Sequence, residues 1–222
     1  MISPLSVLPG NTRRIRWLLA LPKLGIVLLL AALLSLLWLL HRNEVEEDRA
    51  ALIKDVLWLE QNLRFHLGNN EEQFQQLAAD LGSQADRKQL FRVRANHLLK
   101  NNPDISQIVW FDSQRRVIDA LPAALPADSE LEAFGPPVTQ KAFELAGRLS
   151  KRVYSEPFFL GGNVGHFALA VPVYNERTQA GMLVVTYSIE GLLNNLVPWW
   201  FAEKYRVVVI DDNEVQFVAK SH

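Results

Sequence analysis

The chain has 222 residues, with 23 Lys and Arg against 24 Asp and Glu. That near-neutral balance excludes the basic surface of a typical nucleic-acid binder. There is no cysteine, which excludes structural disulfides, thiolate metal sites and a cysteine nucleophile.

Hydrophobic residues are unevenly spread. Residues 17–40 carry a single charge, Lys23, whose ammonium can snorkel to a headgroup layer. A helix needs about 20 apolar residues to span a bilayer, so this stretch is expected to be a transmembrane helix. The rival is a cleaved signal peptide, whose apolar region is shorter and ends in small residues. Here the run is long and is followed by "HRNEVEED", with no small-x-small site, which favours an uncleaved anchor. Arg13, Arg14 and Arg16 precede the run, whereas Glu44, Glu46, Glu47 and Asp48 follow it. The positive-inside rule then places residues 1–16 in the cytoplasm and residues 43–222 outside, in the periplasm of a cell with an inner membrane.

A long helical stretch is expected next. Leu52, Val56, Leu59, Leu63 and His66 recur at spacings of three and four, giving a stripe for packing, for a dimer seam, or for both. Gly68-Asn-Asn70 is expected to break or kink it, because Gly and Asn weaken a helix interior. A second piece aligns Phe74, Leu77 and Leu81, with Gly82 as its stop. A third, residues 87–100, ends before Pro103.

The period then changes. "SQIVWF", the turn "DSQR" and "RVIDAL" are expected to form a β-hairpin. Residues 122–137, with Pro122, Pro126, Pro136 and Pro137, are expected to be a loop, and a helix follows to about Leu149. "KRVYSEPF", "HFALAVPVY" and "GMLVVTYS" are expected as three strands, and "IEGLLNNLVPWWF" as one amphipathic helix. "YRVVVIDDNEVQFVAKSH" repeats the strand, Asp-turn, strand form of the first hairpin, which suggests two modules of one type. Only one hairpin of the second is present, and a lone hairpin is marginal. The expected layout is therefore residues 1–16 cytoplasmic, 17–40 transmembrane, 43–200 a first module with its long helix, and 201–222 the start of a truncated second module.

These stretches resemble the extracytoplasmic double Cache sensor region of bacterial membrane receptors. The resemblance is carried by "ISQIVWFDSQRRVIDAL", "VYSEPFFLGG", "FALAVPVYNERTQAGMLVVTYSIEGLL" and "YRVVVIDDNEV". It covers residues 43–222 and implies an α+β fold with a PAS-like, five-stranded antiparallel sheet. Within that family, "LIKDVLWLEQNLRFHL" looks most like sensor histidine kinases of the C4-dicarboxylate type. The resemblance implies a kinase core beyond residue 222, a response regulator as downstream partner and a homodimer. A chemoreceptor or a cyclic-dinucleotide enzyme would carry the same sensor, since outputs are grafted on interchangeably. A membrane-anchored interaction scaffold is a further alternative, and a periplasmic hydrolase the weakest, as no nucleophile–base pair stands out.

The expected ligand is a small anionic metabolite bearing a carboxylate. Strand alternation allows only one of Lys151 and Arg152 to face a pocket. Arg152 with Tyr154 and Glu156 is the more ligand-like face, because a guanidinium fork matches a carboxylate. Amino-acid-binding members of the family usually place an Asp where this chain has Thr186, so the resemblance implies a ligand without an α-amine. Trp110 is a candidate pocket wall, although an aromatic in such a strand is more often core. His166 is a candidate donor, against a structural role. Asp211-Asp212 reads as turn chemistry rather than a catalytic pair. His41, His66, His97 and His222 show no metal-ligand spacing. No catalytic residue, metal or cofactor is expected in these residues, and no nucleic acid as a partner.

Overall fold

In the computed structural model, residues 12–83, 86–122, 136–160, 164–210 and 215–220 are described, those at 12–24, 40–48 and 218–220 by backbone alone. Asp211, Asp212, His222 and most of the proline-rich loop therefore lie outside the described residues. The chain divides into two compact units, Met1–Leu57 and Trp58–His222.

Helix α1, Thr12–Ser83, is continuous. In the first unit, residues 25–39 are all exposed, Leu and Val included. Among the described residues no helix is long and apolar enough to cross a membrane. The expected kink at Gly68-Asn-Asn70 does not occur. Asn70 is fully buried and its side-chain amide meets the ring of His66 one turn earlier, so tertiary packing overrides weak propensity.

In the second unit, Phe74, Leu77, Ala78 and Leu81 of α1 lie buried against the sheet. The helix ends one residue after Gly82, where a Cβ would overlap the Tyr174 carbonyl oxygen. Helix α2, Arg87–Asn101, adds Phe91, Ala95 and Leu98 to the same layer. Nε of Arg92 on α2 donates to the Asp119 carboxylate at 2.7 Å.

Strands β1 (Ile105–Asp112) and β2 (Val117–Leu121) form the expected hairpin. Asp112 begins its turn by accepting from the backbone N–H groups of Gln114 at 2.8 Å and Arg116 at 2.9 Å. Helix α3, Pro137–Leu149, starts with Pro at its first position and closes on Ser150 in the left-handed region at φ 54°. Its buried stripe is Thr139, Ala142, Phe143 and Ala146.

The expected strand at "KRVYSEPF" is two short ones, β3 (Val153–Tyr154) and β4 (Phe158–Leu160), both on β5 (Val164–Asn175). Pro157 has no N–H to continue a ladder. Ser155 bridges the gap: its backbone N–H donates to Ala168 O at 2.7 Å and its hydroxyl accepts from Ala168 N–H at 2.9 Å. Strand β6 (Thr178–Ser188) completes an antiparallel sheet in the order β2-β1-β6-β5-β3, with β4 beside β3 on the same edge.

"IEGLLNNLVPWWF" is not one helix. It splits at Val197-Pro198 into α4 (Ile189–Leu196) and α5 (Trp199–Lys204), as the proline ring forbids an unbroken ladder. Strands β7 (Val207–Ile210) and β8 (Gln216–Lys220) pair antiparallel. The architecture is thus α+β: helices around a six-stranded antiparallel sheet, one strand more than the five expected because the "KRVYSEPF" strand is split, with β7–β8 a separate two-stranded sheet.

Candidate functional site

The sheet separates two cores. Alternation along β5 and β6 sends Leu169, Val171, Leu183, Val185 and Tyr187 to the α1/α2 side. It sends Ala168, Ala170, Met182 and Val184 to the α3 side. This partition divides the sequence-predicted site residues.

Trp110 belongs to the α1/α2 core. It is 4% exposed, its ring lies 5.8 Å from that of Phe91, and its Nε1 has no hydrogen-bond partner. Tyr154 packs on the same core, with its ring 5.8 Å from Phe167. Thr186 shares the parity of Val184 and Met182 on the opposite face, and pairs across the ladder with Ala168. His166 lies on that face too, stacked on Phe158, with Nδ1 3.0 Å from the Val164 carbonyl. Arg152, Tyr154 and Trp110 are therefore not brought together with Thr186 and His166.

The alternation argument fails for Lys151 and Arg152 because β3 begins only at Val153. Both cations precede the strand and line one groove of about 360 Å³ with Gln75, Ser150, Pro172 and Tyr174. Glu156 leaves the face and takes a surface ion pair with Lys141 at 2.6 Å.

Sequence reasoning missed the partner of Arg152. Its Nε lies 2.5 Å from Oε2 of Glu71 on α1. Arg152 is 41% exposed at its side chain and Glu71 16%. The Tyr154 hydroxyl is buried beside that carboxylate but completes no hydrogen bond. Burial first, and then Glu71, push its pKa above the ordinary tyrosine value. The Tyr187 hydroxyl is likewise buried without a partner, and its pKa is raised by burial, then by Tyr154 and Asp104. The only signal for Glu71 in the sequence is helical spacing: it lies three residues before Phe74 of the buried stripe.

Two other grooves offer different chemistry. One of about 550 Å³ joins Asp112, Arg115, Glu144 and Arg148, and there Arg115 already donates to Glu144 at 3.2 Å. One of about 390 Å³ is apolar, lined by Leu59, Leu63, Leu192, Leu196, Val207 and Val209 among others. Among the described residues no cluster of His, Asp and Glu is arranged to hold a metal ion.

No family model matches the chain. It is 31% identical over 212 residues to the C4-dicarboxylate transport sensor protein DctS of Rhodobacter capsulatus, a match that covers 93% of this chain and 30% of that protein. The chain thus spans about a third of the length of the curated relative it matches. Its fold is similar to the ligand-binding domain of the amino acid chemoreceptor PctB of Pseudomonas aeruginosa PAO1 in complex with L-Arg (TM-score 0.52, 15% identity, 71% of this chain and 63% of that one). It is similar also to an extracellular ligand binding receptor from Desulfohalobium retbaense (TM-score 0.53, 12% identity, 74% of this chain and 31% of that one). An antiparallel sheet flanked by a long N-terminal helix, together with these similarities, gives the chain the PAS/Cache-like fold of such ligand-binding domains.

Proposed function

We propose that the chain is the extracytoplasmic sensing part of a sensor histidine kinase, and that it binds a small organic acid of the dicarboxylate type. The observation that carries this reading is the groove in which Lys151 and Arg152 stand side by side. A guanidinium fork recognises a carboxylate, and an adjacent ammonium suits a second one. Similarity along 93% of the chain to a C4-dicarboxylate transport sensor supports the same ligand class.

Arg152 is the anchoring cation in this reading and Tyr154 its neighbour. Trp110 walls the core behind them, while Thr186 and His166 lie buried on the opposite sheet face, away from Arg152. Residues 17–40 form the membrane span, which leaves residues 43 onward outside the cytoplasm of an inner membrane. Leu52, Ile53, Val56 and Leu57 are exposed on α1 and fit a homodimer seam. The kinase output and its response regulator belong to the part of the protein beyond this chain.

Signalling then follows population shift: the acid favours one arrangement of the domain and can bias the equilibrium only by its differential affinity. A thermal-shift screen of the chain against organic acids tests the reading. A dicarboxylate is expected to raise the melting temperature, and Arg152→Ala to abolish the rise. No stabilisation by any carboxylate, or an equal rise in Arg152→Ala, contradicts it.

A further inference from the structure

We propose that Glu71 is a built-in competitor for the ligand: a carboxylate on α1 that holds Arg152 until a ligand carboxylate displaces it. This rests on the reading that Arg152 anchors an organic acid, and it adds how that binding is read out.

Three observations meet at this pair. Glu71 presents to the guanidinium the group a dicarboxylate would present, with Oε2 2.5 Å from Nε of Arg152. The pair lies at the edge of an occupiable space, since Arg152 lines the 360 Å³ groove together with Lys151. The two partners come from different layers, Glu71 from α1 and Arg152 from the segment that leads into β3. A second carboxylate brought to an already neutralised guanidinium meets the charge of Glu71 at short range. The low exposure of Glu71 weakens the solvent screening that would otherwise relieve this repulsion.

Displacement has a local consequence. Glu71 follows Asn70, whose amide meets the His66 ring, and the buried Tyr154 hydroxyl lies beside the Glu71 carboxylate. Release of Glu71 removes one of the polar ties between α1 and the sheet edge. The Tyr154 hydroxyl, which completes no hydrogen bond in the paired state, is an unused donor for the incoming carboxylate. The ligand thereby loosens the helix as it binds, which supplies the differential interaction a population shift requires.

The experiment is isothermal titration of succinate into the full chain in nanodiscs, for the wild type, Glu71→Gln, Arg152→Ala and the double variant. Gln keeps the size and one acceptor but removes the competing charge. Loss of a partly exposed charge pair is expected to tighten succinate binding about fivefold in Glu71→Gln. Arg152→Ala is expected to abolish binding in both backgrounds. Binding that depends on Arg152 but is unchanged or weakened by Glu71→Gln overturns the competition and leaves the carboxylate reading standing. Absence of succinate binding in all four proteins overturns both. Circular dichroism of each variant confirms that it is folded before titration.

Discussion

Nε2 of His66 on α1 lies 3.0 Å from Oδ2 of Asp104, a carboxylate with no exposed surface at the entry to β1. The other oxygen of Asp104 accepts from the Asn195 amide of α4 at 3.4 Å, and its backbone carbonyl accepts from Ser188 N–H at 2.8 Å. One residue therefore stitches together α1, the start of β1 and the junction between β6 and α4.

Removing His66 leaves that carboxylate without its ring partner. His66→Ala is expected to destabilise the domain by about 1.5–3 kcal/mol, the range for a lost hydrogen bond to a charged group. Urea denaturation measures it. A loss below a few tenths of a kcal/mol would show that the pair contributes nothing to the tie.

Gly82 is expected to be intolerant for a backbone reason. Any Cβ there meets the Tyr174 carbonyl oxygen, which belongs to main chain and cannot rotate away. Gly82→Ala is expected to cost about 1–3 kcal/mol, as overpacking does, despite the better helix propensity of Ala. Gly68→Ala is the control: nothing surrounds that position, so about 0.5–1 kcal/mol of stabilisation is expected. Thermal melts of the two variants should move in opposite directions.

Asp112 gives the domain an acid-side dependence. Its burial would raise its pKa, but the N–H groups of Arg116 and Gln114 and the Arg116 guanidinium outweigh it and hold the value below the ordinary one. A depressed folded value means that the unfolded chain binds the proton first as pH falls. The contribution is therefore complete above about pH 4 and is lost as pH drops through the folded value. Asp112→Asn keeps an acceptor for the turn and is expected to flatten the acid limb, whereas Asp112→Ala is expected to lower stability by about 1 kcal/mol at neutral pH as well. Denaturation curves between pH 2 and 7 separate the two.

Tyr187 acts on the alkaline side. Burial favours its neutral phenol, so the folded pKa lies above the unfolded value of about 10. Stability it contributes is present below about pH 10 and falls as pH rises above it, by about 1.4 kcal/mol per unit. Tyr187→Phe is expected to remove that slope. Because the hydroxyl is buried with no partner, the variant is also expected to be at least as stable at pH 7. A loss of stability there would mean that the hydroxyl is bonded in solution.

Much of this architecture is legible in the chain. The β1–β2 hairpin, with Asp112 opening its turn, follows from β-branched residues around "DSQR", and α2 ends near Pro103 as proline requires. What was not legible depends on tertiary partners. A helix through Gly68-Asn-Asn70 needs the buried seat of Asn70, which propensity cannot see. Alternation assigns Lys151 and Arg152 to opposite faces, yet the strand starts two residues later, at Val153, and both reach one groove. Thr186 and Arg152 are both candidates in the sequence, yet the sheet separates them, because which face each strand turns to a helix is set by pairing register. Glu71 carries no motif at all. Its role arises only from the approach of α1 to the sheet edge.

The central claim is that Arg152 receives the carboxylate of a small acid. A crystal structure of the chain with the dicarboxylate that stabilises it most tests this directly. The account predicts carboxylate density on the Arg152 guanidinium with Glu71 turned away from it. A ligand seated on the Thr186 and His166 face, with the Arg152–Glu71 pair still closed, would contradict it.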